Sequence, residues 1–223
     1  MSIKYFNDPA RLWGLTKIML GGVQVTLGIF VLTLILSIPL GMLVALGRMS
    51  KRKALSTPVS FYIYIMRGTP LMLQVLFFWF FLSQSLPFKP SRFAVVVFSF
   101  ALNYAAYFAE IFRGGIQAVP VGQREAGQVL GYTRVQTFFR IIVPQVVRNV
   151  LPAVTNEIIT LVKDTALGSI IAVVELMSIA KKQVSNSTSI EPYVVAILLY
   201  LLLNGIAERL CKTAERKMDY LRR

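Results

Sequence analysis

The stretch LGIFVLTLILSIPL, residues 27–40, contains no charged side chain and is almost entirely apolar. It is the centre of an apolar block over residues 18–46, which exceeds the roughly 20 residues that a helix needs to cross a bilayer. Four more apolar blocks follow, over residues 57–86, 93–112, 149–163 and 192–207. This pattern predicts an all-α membrane protein with five transmembrane helices.

Composition favours lipid rather than water as the surroundings of the chain. Of 223 residues, 56% are hydrophobic, whereas soluble domains contain about 45–50% apolar residues. The net charge of +14 comes from basic residues beside the apolar blocks, so we interpret them as topology signals and lipid-headgroup contacts, not as a nucleic-acid surface. The chain has no histidine and one cysteine, Cys211, so a disulfide framework is excluded and neither a metal site nor a catalytic site is expected.

Basic residues also predict the orientation of the helices. Segments 48–53, 113–148 and 208–223 hold fifteen lysines and arginines, and the segments on the other side hold seven. Because cytoplasmic loops carry the excess of basic residues, we expect the N-terminus outside and the C-terminus in the cytoplasm. Residues 167–180 are too few to cross, so we expect an interfacial or re-entrant helix there, followed by a polar loop over 181–191.

The polar segment 113–148 is too long for a simple turn between two helices. The glycine pair at 114–115 and Pro120 predict breaks. A short helix is expected over residues 122–131, and Gly131 is expected to end it as a C-cap glycine.

A second helix is predicted in the same segment, because Thr133 and Gln136 have the spacing of a capping box. This helix contains the mostly apolar residues 138–143 and is expected to end at Pro144. The resulting helix–turn–helix would lie along the membrane. Its small, polar first helix would either insert into a groove of another protein or rest on lipid as an amphipathic surface helix.

Arg67 lies near the middle of the second predicted helix, about 15 Å from its start at 1.5 Å per residue. A charge at this depth is costly and marks a candidate functional site. Gly68 and Pro70 should interrupt the helix directly after it, with Thr69 capping the following half-helix. Unpaired N–H groups of that half-helix, together with Arg67, suit a carboxylate ligand. In the alternative interpretation, Arg67 pairs with a structural acid among the helices.

Two acids in the fourth predicted helix complement this arginine. Glu157 and Asp164 are seven residues apart, so they fall on nearly the same helix face, with Thr160 between them. They suit an ammonium or guanidinium group, or alternatively form a polar seam that holds a dimer together. A zwitterion fits this set, with its carboxylate at Arg67 and its amino group at one acid. The spare acid then favours a cationic side chain such as that of arginine, lysine or histidine.

Gln74, Asn103 and Tyr107 complete the candidate substrate-binding residues, although a tyrosine in such a helix more often serves packing. Glu110 and Arg113 have the i, i+3 spacing of an ion pair near the cytoplasmic end of the third helix.

Two other classes of function remain open at this point. One is a channel or proton-relay subunit, since acids within a membrane also serve those roles. The other is a membrane enzyme that uses Glu157 and Asp164 as an acid–base pair. The sequence contains no G-x-x-x-x-G-K-[ST] motif, so this chain is not expected to cradle ATP phosphates itself.

Two parts of the polar segment are Glu125-Ala126 followed by Gly131, and Ile141-Ile142-Val143-Pro144. They resemble the EAA loop of bacterial ABC importer permeases, with Gly127 in place of the second alanine and Val143 in place of leucine. The resemblance implies that residues 113–148 form a cytoplasmic coupling loop that docks onto a separate ATPase. The ATPase-coupling residues that it implies are Glu125, Ala126, Gly131 and Pro144.

Three more segments, MRGTPL at 66–71, AEIFRGGI at 109–116 and NEIITLVKDT at 156–165, are similar to the polar amino acid uptake subfamily. This resemblance implies a type I ABC importer permease fold, as a single transmembrane domain over residues 1–223 in the bacterial cytoplasmic membrane. It implies three protein partners: an ATPase dimer that binds ATP and Mg, a second permease subunit (another copy or a paralogue), and an extracytoplasmic amino-acid-binding protein. No cofactor is expected in this chain. The implied substrate is a polar amino acid, with glutamine, glutamate and cystine as alternatives to a cationic one.

Overall fold

The computed structural model of the chain describes residues 5–220. Over this range it contains helices and connecting turns but no strand, as predicted for an all-α protein. The α-helices are α1 (Pro9–Arg48), α2 (Lys53–Gly68), α3 (Leu71–Ser85), α4 (Arg92–Gln117), α5 (Gly122–Val129), α6 (Arg134–Thr137), α7 (Val143–Asp164), α8 (Leu176–Ser187) and α9 (Glu191–Tyr220). A π-helical turn (Phe138–Ile142) joins α6 to α7, and a 3-10 helix (Thr165–Ile171) follows α7.

Three helices in the described part are long and apolar enough to cross a membrane: α1, α4 and Glu191–Met218 of α9. Together, α2 and α3 pass the same test as one interrupted span. α7 does not pass, because it mixes apolar residues with charged ones such as Glu157 and Lys163. The count of five spans therefore stays a prediction, as does the orientation of the termini.

α1 begins at Pro9, well before the apolar block predicted over 18–46. The Asp8 carboxylate accepts hydrogen bonds from the N–H groups of Ala10 (2.9 Å) and Arg11 (3.3 Å). These bonds satisfy donors that the start of a helix leaves unpaired. A polar cap, and not hydropathy, therefore sets the start of this helix.

The predicted interruption of the second helix is confirmed, because α2 ends at Gly68 and α3 begins at Leu71. The predicted capping by Thr69 is wrong: Pro70 occupies the N-cap position with a ψ of 130°, and no side chain caps α3. The Thr69 hydroxyl instead accepts a hydrogen bond from Gln74 Nε2 at 2.8 Å. The extended Pro70 makes Leu71 the first helical residue, so Thr69 lies one residue too early to cap the helix.

The described residues form two compact units, of which the first comprises 5–36, 69–101 and 159–207 and the second comprises 37–68, 102–158 and 208–220. In the first unit, Leu15 and Met19 of α1 belong to a buried cluster with Leu176 of α8. A Cβ atom on Gly22 would lie 2.8 Å from Leu176 Cα. Glycine is therefore needed where α1 and α8 approach each other.

In the second unit, α4 passes through the glycine pair at 114–115 and ends at Gln117, so the break predicted at these glycines is wrong. A Cβ atom on Gly115 would lie 2.1 Å from Val150 Cγ1 of α7. This glycine therefore permits close helix packing and does not break its helix. α4 also buries Tyr104 and Phe108, whose ring centroids are 6.2 Å apart.

The single helix predicted over 167–180 is also wrong. The 3-10 helix and α8 share this stretch, and a left-handed residue, Ala172 (φ 58°), lies between them. The Glu175 carboxylate caps α8 by accepting two N–H groups of its first turn at 2.7 Å, so the apolar stretch contains a helix start that hydropathy does not reveal. α8 extends into the predicted polar loop, and α9 continues the fifth predicted helix as far as Tyr220.

Candidate functional site

Glu110, on α4, is the centre of a group of charged side chains in the second unit. Arg113 donates three hydrogen bonds to its carboxylate: Nε to both oxygens at 3.1 and 3.2 Å, and Nη2 to Oε2 at 2.6 Å. The predicted ion pair between these two residues is therefore confirmed. Arg48 Nε lies 4.0 Å from Oε1, and Arg67 Nη1 lies 3.9 Å from Oε2. One carboxylate thus faces three guanidinium groups, from α1, α2 and α4.

Arg67 is held more loosely than Arg113, since 3.9 Å exceeds the length of a hydrogen bond. Its guanidinium carbon also lies 5.2 Å from the ring centroid of Tyr107, in cation–π geometry. The Arg67 side chain is 43% exposed within the chain, and that of Glu110 is 19% exposed. The contact with Glu110 supports the interpretation of Arg67 as the partner of an acid among the helices. Its exposed guanidinium also leaves room for a second anion.

A cleft of about 360 Å³ borders Arg67. Its lining consists of Arg48, Ser60, Ile63, Tyr64, Arg67, Gly68 and Glu110. Within it, the Arg48 guanidinium donates a hydrogen bond to the Ser60 hydroxyl. Two arginines against one carboxylate give the lining a positive balance, which favours an anionic ligand.

Asn103 ties α4 to the end of α2. Its Nδ2 donates a hydrogen bond at 2.9 Å to the carbonyl of Met66, which lies in the last turn of α2. The Tyr62 hydroxyl donates to the Leu102 carbonyl at 2.5 Å, as a second link between the same helices. Asn103 therefore fixes the helix end that carries Arg67, and its predicted contact with substrate stays a prediction.

Thr69 and Gln74 lie together at the start of α3, in the first unit. Gln74 is buried, and its Nε2 donates to the hydroxyl and the carbonyl of Thr69 at 2.8 and 3.2 Å. These bonds hold the turn that precedes α3. Substrate binding by these two residues remains a prediction beside this structural role.

Glu157, Thr160 and Asp164 all lie on α7, at the spacing that places Glu157 and Asp164 on nearly one helix face. Glu157 and Asp164 are half-buried, whereas Thr160 is exposed. The neighbouring Leu161 is completely buried, so this part of α7 also packs against the interior. Glu157 belongs to the second unit, and the other two predicted site residues belong to the first.

The predicted short helix of the polar segment is present as α5, with Glu125 and Ala126 in its middle. Gly131 has a φ of +76°, and the N–H of Tyr132 bonds to the Gly127 carbonyl at 2.9 Å. This is the C-cap geometry that the sequence predicted, and it uses a conformation that glycine adopts without strain.

The second helix of this segment begins as predicted but does not end as predicted. Thr133 and Gln136 exchange hydrogen bonds of 2.9 and 3.2 Å, which confirms the capping box. Pro144 does not end the helix, because it lies in the first turn of α7, where a missing N–H is tolerated. A π-helical turn precedes it, so helical structure runs without a gap from α6 through α7.

Gly127 packs against the second helix of the segment. A Cβ atom on it would lie 2.6 Å from Cγ2 and Oγ1 of Thr137, which is buried on α6. This contact explains why glycine stands where the related pattern has alanine. After it, Val129 and Leu130 are 87% and 68% exposed, so the end of α5 presents apolar side chains that its own unit leaves uncovered.

Helices α5 and α6, together with Glu110 and its three arginines, lie within the part of the chain that matches one protein family. The family model for the binding-protein-dependent transport system inner membrane component matches residues 37–220. The chain belongs to this family. It is a transport permease of the inner membrane, in which an EAA motif and a coupling helix are typical features.

This permease is similar to known transport proteins over most of its length. It is 40% identical to the octopine transport system permease protein OccM of Rhizobium radiobacter, over 91% of the permease and 86% of that protein. It is 35% identical to the arginine transport system permease protein ArtQ of Bacillus subtilis (strain 168), over 90% of the permease and 92% of that protein. A crystal structure of an amino acid ABC transporter with histidines matches it with a TM-score of 0.86 at 32% identity, over 97% of the permease and 100% of that chain. The permease therefore has an ABC permease fold, and its relatives are transport subunits, not enzymes.

Sequence analysis of the permease missed the contacts of Glu110 with Arg48 and Arg67. The i, i+3 spacing identified Arg113, but the other two arginines come from different helices. One signal was available: an arginine at membrane depth needs an acidic partner, and Glu110 is the one acid in the third predicted helix.

Proposed function

We propose that this permease is a membrane subunit of an ATP-driven importer of amino acids and that it prefers substrates with a cationic side chain. The observation that carries the transport role is α5, a short helix with exposed Val129 and Leu130 in the sequence context of an EAA loop. The cationic preference is supported by the two acids of α7 and by a relative that is named for arginine transport. Glutamine, glutamate and cystine are the alternative substrates.

In this proposal, Arg67 binds the α-carboxylate, because its guanidinium is partly exposed and borders a cleft with a positive balance. Glu157 binds the α-amino group, and Asp164 binds the cationic end of the side chain. The supporting substrate-binding residues are Thr69, Gln74, Asn103, Tyr107 and Thr160. Of these, Tyr107 stacks on the Arg67 guanidinium and Asn103 fixes the helix end beside it.

Energy reaches the substrate site from outside the chain. Permease subunits carry no cofactor of their own, and ATP and Mg bind to a separate ATPase dimer. That dimer contacts α5 through Glu125 and Ala126, and Gly131 keeps the helix end in its docking geometry. Helical structure is continuous from α6 into α7, and both Pro144 and Glu157 lie on α7. A displacement of the coupling loop would therefore be transmitted along α7 to Glu157.

The assembled importer contains a second permease subunit, either another copy or a paralogue, and receives substrate from an extracytoplasmic amino-acid-binding protein. The permease crosses the bacterial cytoplasmic membrane five times, with its N-terminus outside. α7 supplies the fourth crossing in this topology, and its charged residues are tolerated because they face protein and substrate, not lipid. Residues 113–148 form the cytoplasmic coupling loop of a single transmembrane domain.

Uptake into liposomes tests this proposal. The permease is reconstituted with its ATPase, partner permease and binding protein, and uptake of radiolabelled L-arginine is measured with and without internal ATP. Competition with unlabelled glutamine, glutamate and cystine ranks the substrates. We expect ATP-dependent uptake in which arginine competes best, whereas uptake without ATP would identify a channel.

Amino acid binding to the purified permease complex tests the site. Glu157→Gln and Asp164→Asn should each weaken arginine binding, because each removes a charge that offsets a substrate cation. Unchanged binding in both variants would show that the site is assigned wrongly.

A further inference from the structure

Glu110 contacts Arg113 much more closely than it contacts Arg67. Arg113 holds the carboxylate with three hydrogen bonds, one of them 2.6 Å long. Arg67 lies 3.9 Å from the same carboxylate and makes no hydrogen bond to it at that distance. Glu110 is therefore anchored to its own helix, while Arg67 is attracted to it without being locked in place.

An incoming carboxylate can offer Arg67 a better contact than Glu110 does. Arginine and a free carboxylate form paired hydrogen bonds of about 2.7–2.9 Å, shorter than the 3.9 Å contact present here. Glu110 cannot follow Arg67 to improve its own contact, because Arg113 holds it. The exposed fraction of the Arg67 side chain, 43%, and the adjoining cleft give a ligand access to the guanidinium.

We infer that Glu110 is a resident counter-ion of Arg67, a positioning residue that keeps this arginine at the cleft without substrate and yields it to the substrate carboxylate. This inference rests on the proposed function, since it takes Arg67 as the carboxylate-binding residue. Glu110 competes with the substrate for one guanidinium, so it lowers the affinity for the carboxylate and assists its release. Arg113 sets the strength of this competition by holding Glu110 back.

A ratio of two affinities separates competition from a general structural effect. Binding of L-arginine and of L-argininamide, which lacks the carboxylate, is measured by calorimetry on the purified complex with its partner subunits. The ratio of the two dissociation constants reports the carboxylate preference, and comparing it between variants cancels the different basicity of the two amino groups. Loss of structure would weaken the binding of both ligands equally and leave the ratio of their dissociation constants unchanged.

Glu110→Gln should raise the carboxylate preference by about 2- to 5-fold, the range expected for a partly exposed ion pair. Arg113→Gln should lower the preference, because Glu110 is then released toward Arg67. Glu110→Asp should keep a preference close to that of the unaltered permease. Glu208→Gln is the matched control, since it removes an ion pair with Lys212 on the exposed surface of α9.

The outcomes distinguish the two proposals. If the unaltered permease does not bind arginine, or if Arg67→Gln leaves the carboxylate preference unchanged, the proposed function fails at this site. If Arg67→Gln abolishes the preference while Glu110→Gln and Arg113→Gln both leave it intact, the competition alone is refuted. If Glu110→Gln does not assemble, Arg113→Gln still tests the competition, because a carboxylate preference that does not fall in this variant would refute it.

Discussion

The Asn103 side-chain amide donates a hydrogen bond to the Met66 carbonyl at 2.9 Å, from the middle of α4 to the last turn of α2. This bond connects a buried polar side chain to the helix end that carries Arg67. The position of the arginine is thus set by a neighbouring helix as well as by its own.

Replacing Asn103 with leucine, which has a similar volume, should reveal the value of this bond. We expect Asn103→Leu to lower the free energy of unfolding by about 0.5–1.5 kcal/mol, because the hydrogen bond to the Met66 carbonyl is lost. Arginine affinity should also fall, since the end of α2 is less well fixed. Thermal unfolding in detergent and calorimetry measure the two effects, and Asn186→Leu on the exposed side of α8 is the control. Equal destabilisation by both variants would contradict this account.

Gly127→Ala should impair the coupling loop, although alanine is the residue of the related pattern. The added methyl group would lie 2.6 Å from Thr137 Cγ2, and overpacking of this kind costs about 1–3 kcal/mol, more than the ~1 kcal/mol that alanine gains over glycine in a helix. Gly122→Ala is the control, because no atom lies within 4 Å of the corresponding methyl position. Thr137→Ala should partly rescue the variant in assays of ATPase association. A Gly127→Ala permease as stable as Gly122→Ala would refute the steric explanation.

Two local capping signals predict helix boundaries of the polar segment correctly. The capping box at Thr133 and the C-cap glycine at 131 were both correct, because their hydrogen bonds depend only on residues three to five positions apart. The break predicted at the glycine pair 114–115 is wrong, because Gly115 is there to accommodate Val150 on another helix, and no local pattern reveals that contact. Composition identifies the apolar blocks but not the starts of α1 and α8, where the side chains of Asp8 and Glu175 cap the first turns.

The candidate site followed the same rule. Sequence spacing identified the Glu110–Arg113 pair, which lies within one helix. The contacts of Glu110 with Arg48 and Arg67 join different helices, so no spacing along the chain encodes them.

Glu175, which lies before α8 and outside the helices that can span a membrane, gives the stability a dependence on pH. Burial raises the pKa of its carboxyl above the usual value of 4.5, despite hydrogen bonds to Met177, Ser178 and Tyr200 that oppose the shift. A carboxyl whose pKa is raised by folding stabilises the folded state most at low pH, and this contribution is lost as the pH rises through the folded pKa. We expect the melting temperature of the unaltered permease minus that of Glu175→Gln to decrease from pH 4 toward pH 8. An increase over this range would show that the carboxyl is stabilised in its charged form.

The apolar end of α5 is the surface on which the ATPase should dock. Leu130 on this surface and Leu210 on α9 are each 68% exposed, which makes them a matched pair for substitution. Leu130→Asp should weaken association with the ATPase by about 10-fold or more, because an apolar contact is replaced by a charged group that would lose its hydration in the interface. Leu210→Asp adds the same charge at the same exposure and should leave association unchanged.

Glu125→Arg provides a second test of the same surface, since it reverses a charge in the middle of α5 without changing the apolar side chains at its end. Co-purification of the ATPase and substrate-stimulated ATP hydrolysis measure docking and coupling separately. Loss of hydrolysis with retained co-purification would assign Glu125 to coupling, and loss of both would assign it to docking. If Leu130→Asp and Leu210→Asp weaken association equally while Glu125→Arg transports normally, then α5 is not the docking helix, because neither its apolar end nor its charge distinguishes it from the rest of the surface.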